Sequence, residues 1–141
     1  MADISLTTSY VVGAPRAKVY AAWLDPAGLA SILTVDPDEP VHGVTIDDQV
    51  DGIFAFQLDA EDDSRMECRY TALEPGALIA FLWDVAGDRP GSTVTVHFRP
   101  VAEGTEVVLV HDRLPNRIVR DVLLGRWDNS LQNLAGLFAR G

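Results

Sequence analysis

The sequence predicts an α+β fold: a curved antiparallel sheet of about seven strands gripping a long C-terminal helix, with two short helices after the first strand. Three observations carry that expectation. Between residues 41 and 112 apolar and polar side chains alternate with a period of two, in runs broken by short turn-rich connections. Beyond Pro115 the period changes to three and four over a single long stretch. Between these patterns and the first strand lie two short segments punctuated by Pro15 and Pro26.

Taken in order, residues 4–12, "ISLTTSYVV", carry the β-branched and aromatic content of a strand. In "GAPRAKVYAAWLDP", Pro15 suits a first helical turn, Val19 and Trp23 share a face one turn apart, and Pro26 stops the helix. Pro26 then opens a second helix, "PAGLASIL", with Asp25 as its N-cap. "TVDPDEP" reads as loop. Strands are expected near 41–49, 52–59, 65–74, 77–84, 92–100 and 105–112. The connections "DG" (51–52), "AEDDS" (60–64), "PG" (75–76), "AGDRPG" (86–91) and "AEG" (102–104) are short enough to join antiparallel neighbours as a meander. In the terminal stretch Val119, Leu123, Trp127, Leu131, Leu134 and Phe138 form one apolar stripe, with Gly125 as its weak point.

The chain has 141 residues, and one domain over 1–141 is expected. With 11 Lys+Arg against 21 Asp+Glu the formal net charge is −10, a field that repels phosphate backbones and anionic lipid surfaces. Nucleic acid and membrane are therefore poor partners. The single cysteine, Cys68, permits no intrachain disulfide, and "MADISLTTSYVVG" lacks the basic and apolar regions of a secretory signal. A cytoplasmic protein is expected.

Alternation assigns side chains to faces. Val107, Leu109 and His111 lie together, as do Val94, Val96 and Phe98, and Phe54, Phe56 and Leu58. Met66, Cys68, Tyr70 and Ala72 form a further set. The strand "ALIAFLWD" is apolar on both sides, Ile79, Phe81 and Trp83 opposing Leu78, Ala80 and Leu82, so pattern leaves its inner face open. The inner face thus gathers Phe54, Phe56, Phe81, Phe98, Tyr70, Trp83 and an inward His111, with Trp127 facing them from the helix. A twisted sheet of this size curls, and one straight helix does not fill its concavity, so a lined hollow is expected between them.

The order of strand, "APRAKVYAAWLDP", "YTALEPGALIAFLW", "GTEVVLVHDRLP" and "WDNSLQNLAGLF" resembles the START-like superfamily, also called SRPBCC or helix-grip. Its nearest branch looks like the heat-shock-protein-90 ATPase-activator-homologue family, over nearly the whole chain. Departures from that family fall at Gly125-Arg126-Trp127, where it often has Gly-Trp adjacent, and at "ASILTVD", where it often has a tryptophan pair. Both positions lie near the family's cavity mouth, so the relatives' ligands do not carry over.

The resemblance implies binding of a small, mostly apolar ligand in the hollow, with His111 and Tyr70 as its polar contacts and Phe54, Phe56, Phe81, Trp83, Phe98 and Trp127 as its walls. Two other readings stand beside it. One is a cyclase-like or hydrolase-like enzyme using His111 and Tyr70, although no carboxylate is evident beside His111 to orient the ring. The other is a stress-related co-chaperone-type interaction protein, weakened because the chaperone-stimulating relatives carry an additional domain. A homodimer stays open. His111 has its bland reading as well, a core histidine satisfied by a backbone carbonyl. Cys68 reads as a core filler, since no basic neighbour would make it a thiolate. The acidic run "DAEDDS" (59–64) lacks the ligand spacing of a calcium loop and reads as a solvated hairpin tip. No metal or cofactor motif is present.

Overall fold

The computed structural model describes residues 4–57, 65–84 and 91–139. In chain order the elements are β1 (Ile4–Val12), α1 (Arg16–Trp23), α2 (Pro26–Leu33), β2 (His42–Ile46), β3 (Ile53–Gln57), β4 (Arg65–Glu74), β5 (Leu78–Trp83), β6 (Ser92–Val101), β7 (Gly104–Leu114) and α3 (Arg117–Phe138). The seven strands form one curved antiparallel sheet in the order β1-β7-β6-β5-β4-β3-β2. β2 to β7 therefore run as the expected meander, and β1 closes the far side against β7, pairing Thr8 with Leu109 and Val12 with Thr105. The expected turn at 60–64, with Leu58 and the whole acidic run 59–64, lies outside the described residues, as does the turn at 86–91 apart from Gly91.

Local chemistry sets the helices. Asp25 caps α2 as expected, its carboxylate accepting from the Gly28 amide at 2.9 Å, and Asn116 caps α3 through the Val119 amide at the same distance. Pro15 stands one residue earlier than expected, as the N-cap of α1 in extended conformation rather than inside its first turn. The elbow between α1 and α2 is tight. A Cβ on Gly28 would lie 2.4 Å from the Ala22 carbonyl oxygen, so only glycine fits there.

Two expectations need correction. β2 and β3 are shorter than their alternation indicated, because residues 47–52 fold back as a loop in place of a two-residue "DG" turn. The Asp51 amide donates to the Tyr70 carbonyl and the Tyr70 amide to the Gly52 carbonyl, so the loop backbone takes ladder positions beside β4. Asp51 pays with a φ of 69°. The second correction lies in β4, where the pairing shifts between Tyr70 and Ala72. This bulge flips the alternation, so Leu73, opposite Ile79, packs on the core in place of Ala72.

The ambiguous strand β5 turns Ile79, Phe81 and Trp83 toward the core. Together with Val94, Val96 and Phe98 of β6 and Val107 and Leu109 of β7 they make the greasy inner face. α3 covers it with Trp127, Leu131 and Leu134, all buried. α2 then seals one flank of α3. The Asn133 amide donates to the Thr34 carbonyl at 2.7 Å and to the Ser31 carbonyl at 3.0 Å, and Asn129 donates to Thr34 at 3.1 Å. These are carbonyls that a helix C-terminus leaves without partners of its own, so α3 acts as the cap of α2.

Candidate functional site

The space between sheet and α3 is mostly occupied by the chain's own side chains. Among the described residues an apolar pocket of about 140 Å³ remains where β3–β5, α3 and the end of α2 meet, and a wider, more open cleft lies at the other end of Trp83, between Ser92, Leu114, Val119 and Leu123. From the sheet the apolar pocket is walled by Phe56, Met66 and Trp83, and from the α2 side by Leu33 and Val35. α3 contributes Leu123, Arg126, Trp127 and Ser130, which share one face because they stand three and four residues apart.

The aromatic walls hold one another in place. Trp83 meets Trp127 edge to face with ring centres 5.2 Å apart, and Phe56 meets Trp83 at 6.0 Å. Behind them Phe54 contacts Phe81 at 5.0 Å and Tyr70 at 5.2 Å, forming a second layer away from the opening. Of the eight residues expected at the site, Phe56, Trp83 and Trp127 thus border the pocket. Phe54, Phe81 and Tyr70 support it from behind. Phe98 lies elsewhere in the core, its ring 5.5 Å from that of Tyr20 in α1.

His111 sits beneath the tryptophans, fully enclosed. Trp127 Nε1 donates to its Nδ1 at 3.0 Å, and its Nε2 lies 2.5 Å from Ser92 Oγ. An indole N–H can only donate, so Nδ1 must be the bare nitrogen and the ring proton sits on Nε2, pointing at Ser92. Both nitrogens are engaged, by side chains rather than by the backbone carbonyl expected. Burial holds the imidazole down to about 4, against 6.5 for an ordinary histidine, with Asp112 pulling weakly upward. Protonation would also set an Nδ1–H against the indole N–H. The ring is therefore neutral at pH 7 and serves to fix the rotamer of Trp127.

Tyr70 is buried as well, and burial pushes its hydroxyl above the usual phenol range, with Cys68 and Asp48 adding to the effect. Burial likewise drives the Cys68 thiol up to about 12, which keeps it a thiol and suits the core role expected of it. Among the described residues no group of His, Cys, Asp or Glu is placed to hold a metal ion, and no helix is long and apolar enough to cross a membrane.

Six pocket residues were not expected at the site: Met66 and Leu123, which the pattern had turned toward the core, and Ser130, Arg126, Leu33 and Val35. Helical spacing from Trp127 was signal enough for Ser130, three residues on. Leu33 and Val35 needed the docking of α2 against α3, which no periodicity encodes. Ser92, the partner of His111, shares the parity of Val94, Val96 and Phe98 and was legible in the same way.

Comparison with known proteins places this geometry. A family model described as Activator of Hsp90 ATPase homolog 1-like protein matches residues 13–139. Among solved structures, protein CV1439 from Chromobacterium violaceum is 27% identical, with 97% of this chain and 99% of that one covered at a TM-score of 0.77. Protein NE0264 from Nitrosomonas europaea is 14% identical at a TM-score of 0.81, over 95% and 93% of the two chains. The Aha1 dimer from Colwellia psychrerythraea, solved in solution, is 17% identical at a TM-score of 0.78, over 98% of each chain. No curated protein matches.

Proposed function

Given that the chain belongs to the Activator of Hsp90 ATPase homolog 1-like family, we propose that it binds a small, mostly apolar molecule between the sheet and α3. One fold serves many tasks, so the proposal rests on the site rather than on kinship. The observation that carries it is the pocket itself, an apolar cleft between Phe56, Trp83 and Trp127 where α3 stands off the sheet.

Its size sets the ligand class. Drug-sized ligands occupy about 300–1,000 Å³, whereas a dry cavity of about 150 Å³ accepts a single benzene ring. At about 140 Å³ this pocket takes one ring or a short branched chain, and a lipid or polyketide would need the walls to part. Phe56, Trp83 and Trp127 contact the ligand in this reading, while Phe54, Phe81, Tyr70 and His111 keep those walls in position. An enzymatic role for His111 has no geometric support. Its ring nitrogens are occupied, and its nearest polar partners are an indole and a serine rather than a carboxylate.

Toluene is a suitable probe. Titrated into the protein while the methyl resonances of Leu33, Val35, Met66 and Leu123 are followed, it is expected to saturate at one molecule per chain and to shift those four signals together. A linear, non-saturating response, or shifts confined to methyls elsewhere, would reject the pocket as a binding site.

A further inference from the structure

We infer that the natural ligand class is a monocyclic aromatic carboxylate, its ring in the pocket and its carboxylate at the mouth between Arg126 and Ser130. The inference rests on the apolar-pocket reading and goes beyond it by assigning the polar end of the ligand.

Two polar groups break an otherwise apolar lining, and both belong to α3 one turn apart. Ser130 is only 3% exposed, yet its hydroxyl has no hydrogen-bond partner among the described residues. That is unusual for a serine inside a helix, whose hydroxyl commonly bonds back to the carbonyl four residues earlier, as Thr34 does here to Ala30. Trp23 Nε1 is the one sealed side-chain polar atom without a partner among the described residues, so the Ser130 oxygen keeps access to the pocket it borders. A ligand acceptor there can take its hydroxyl as a donor.

Arg126 is the pocket's only charged residue among the described ones, and it stands at the exposed rim. It forms no ion pair with any carboxylate among the described residues. The helix positions three and four away from it are Val122, Leu123, Asn129 and Ser130, so the pattern that usually neutralises a surface arginine is missing. In a chain of net charge −10, a guanidinium beside an apolar cleft with no acidic partner among the described residues is conspicuous.

The two observations select one chemistry. A planar carboxylate meets the guanidinium fork through two parallel hydrogen bonds and can accept from the Ser130 hydroxyl as well. The walls of Phe56, Trp83 and Trp127 favour an aromatic ring over an alkyl chain, since edge and face contacts add to burial. The volume admits one ring and leaves the carboxylate outside it, at the depth where Arg126 waits. The overall negative charge opposes an anion, but at physiological ionic strength charges beyond about 8 Å are largely screened while a contact at the mouth is not.

Benzoate and toluene, titrated against the wild type, Arg126→Gln, Arg126→Lys and Ser130→Ala, test this. Benzoate is expected to saturate at one per chain. Arg126→Gln should weaken it about tenfold while leaving toluene within about twofold, and Arg126→Lys should restore most of the loss. Ser130→Ala should weaken benzoate and leave toluene unchanged or slightly tighter. Toluene binding without benzoate, or benzoate binding indifferent to Arg126→Gln, overturns the carboxylate assignment and leaves the apolar pocket standing. Failure of both probes removes the pocket and the inference together.

Discussion

A single hydrogen bond decides what His111 can be. Because Trp127 donates to Nδ1, the imidazole is locked neutral, and its charge becomes a matter of stability rather than of chemistry. An unfolded chain carries an ordinary histidine that takes up a proton near pH 6.5, whereas the folded chain takes it up only near pH 4. Between those values the unfolded state binds more protons, so stability is full above pH 6.5 and falls as the pH drops toward 4. At about 1.4 kcal/mol per pH unit, the loss over that window is on the order of 3 kcal/mol. Denaturant unfolding between pH 7 and 4 should show it, and His111→Gln, which keeps an acceptor for Trp127 and a donor for Ser92 without a titrating group, should flatten that limb. Equal slopes in the two proteins would refute the assignment. The inward direction of His111 was legible from alternation along "EVVLVHD"; its partners were not, because they come from strands and helices far away in sequence.

At the scale of elements, α3 bears the pocket and also carries the chain's clearest reserve of stability. Gly125 lies inside the helix, and a Cβ built there meets no atom within 4 Å. Replacing it with alanine removes conformational freedom from the unfolded chain and strains nothing, so Gly125→Ala is expected to stabilise by about 1 kcal/mol. In a domain of this length that is a rise in melting temperature of about 3 °C, readable by calorimetry. An unchanged or lowered melting temperature would show that the helix needs flexibility beside Arg126. The amphipathic period foretold α3 as one long helix, Arg117–Phe138 within the stretch after Leu114, since one long stripe admits one reading. β4 shows the opposite case. Its alternation held from Met66 to Tyr70 and then failed at the bulge, where the register yields to the loop backbone of residues 51 and 52 pairing with Tyr70.

For the whole molecule the position of β1 matters most. Without it β7 would be an edge strand, offering unpaired amides to other chains; with it β7 is flanked by β6 and β1 and covered by α3. The slowest-exchanging amides are therefore expected in β7 and β6, and much faster ones in β2, the edge strand that pairs only with β3. Hydrogen exchange followed by mass spectrometry checks this order. Protection of β2 equal to that of β7 in dilute solution would mean that something covers that edge, and concentration dependence would identify a second copy of the chain. The same architecture explains the small pocket: α3 packs on the sheet through Leu131 and Leu134 and leaves a gap beside Trp127 and Ser130, where α2 provides the remaining wall.

Periodicity, prolines and caps determined the elements, their order and the inward set of aromatics, because those are local consequences of backbone geometry and of keeping apolar surface from water. Only the tertiary structure decided how far side chains fill the hollow, that His111 is spoken for by Trp127 and Ser92, and that an arginine and a serine with no partners among the described residues border the apolar pocket. Cavity size and polar pairing depend on differences of an ångström between elements distant in the chain, and no local pattern carries such differences.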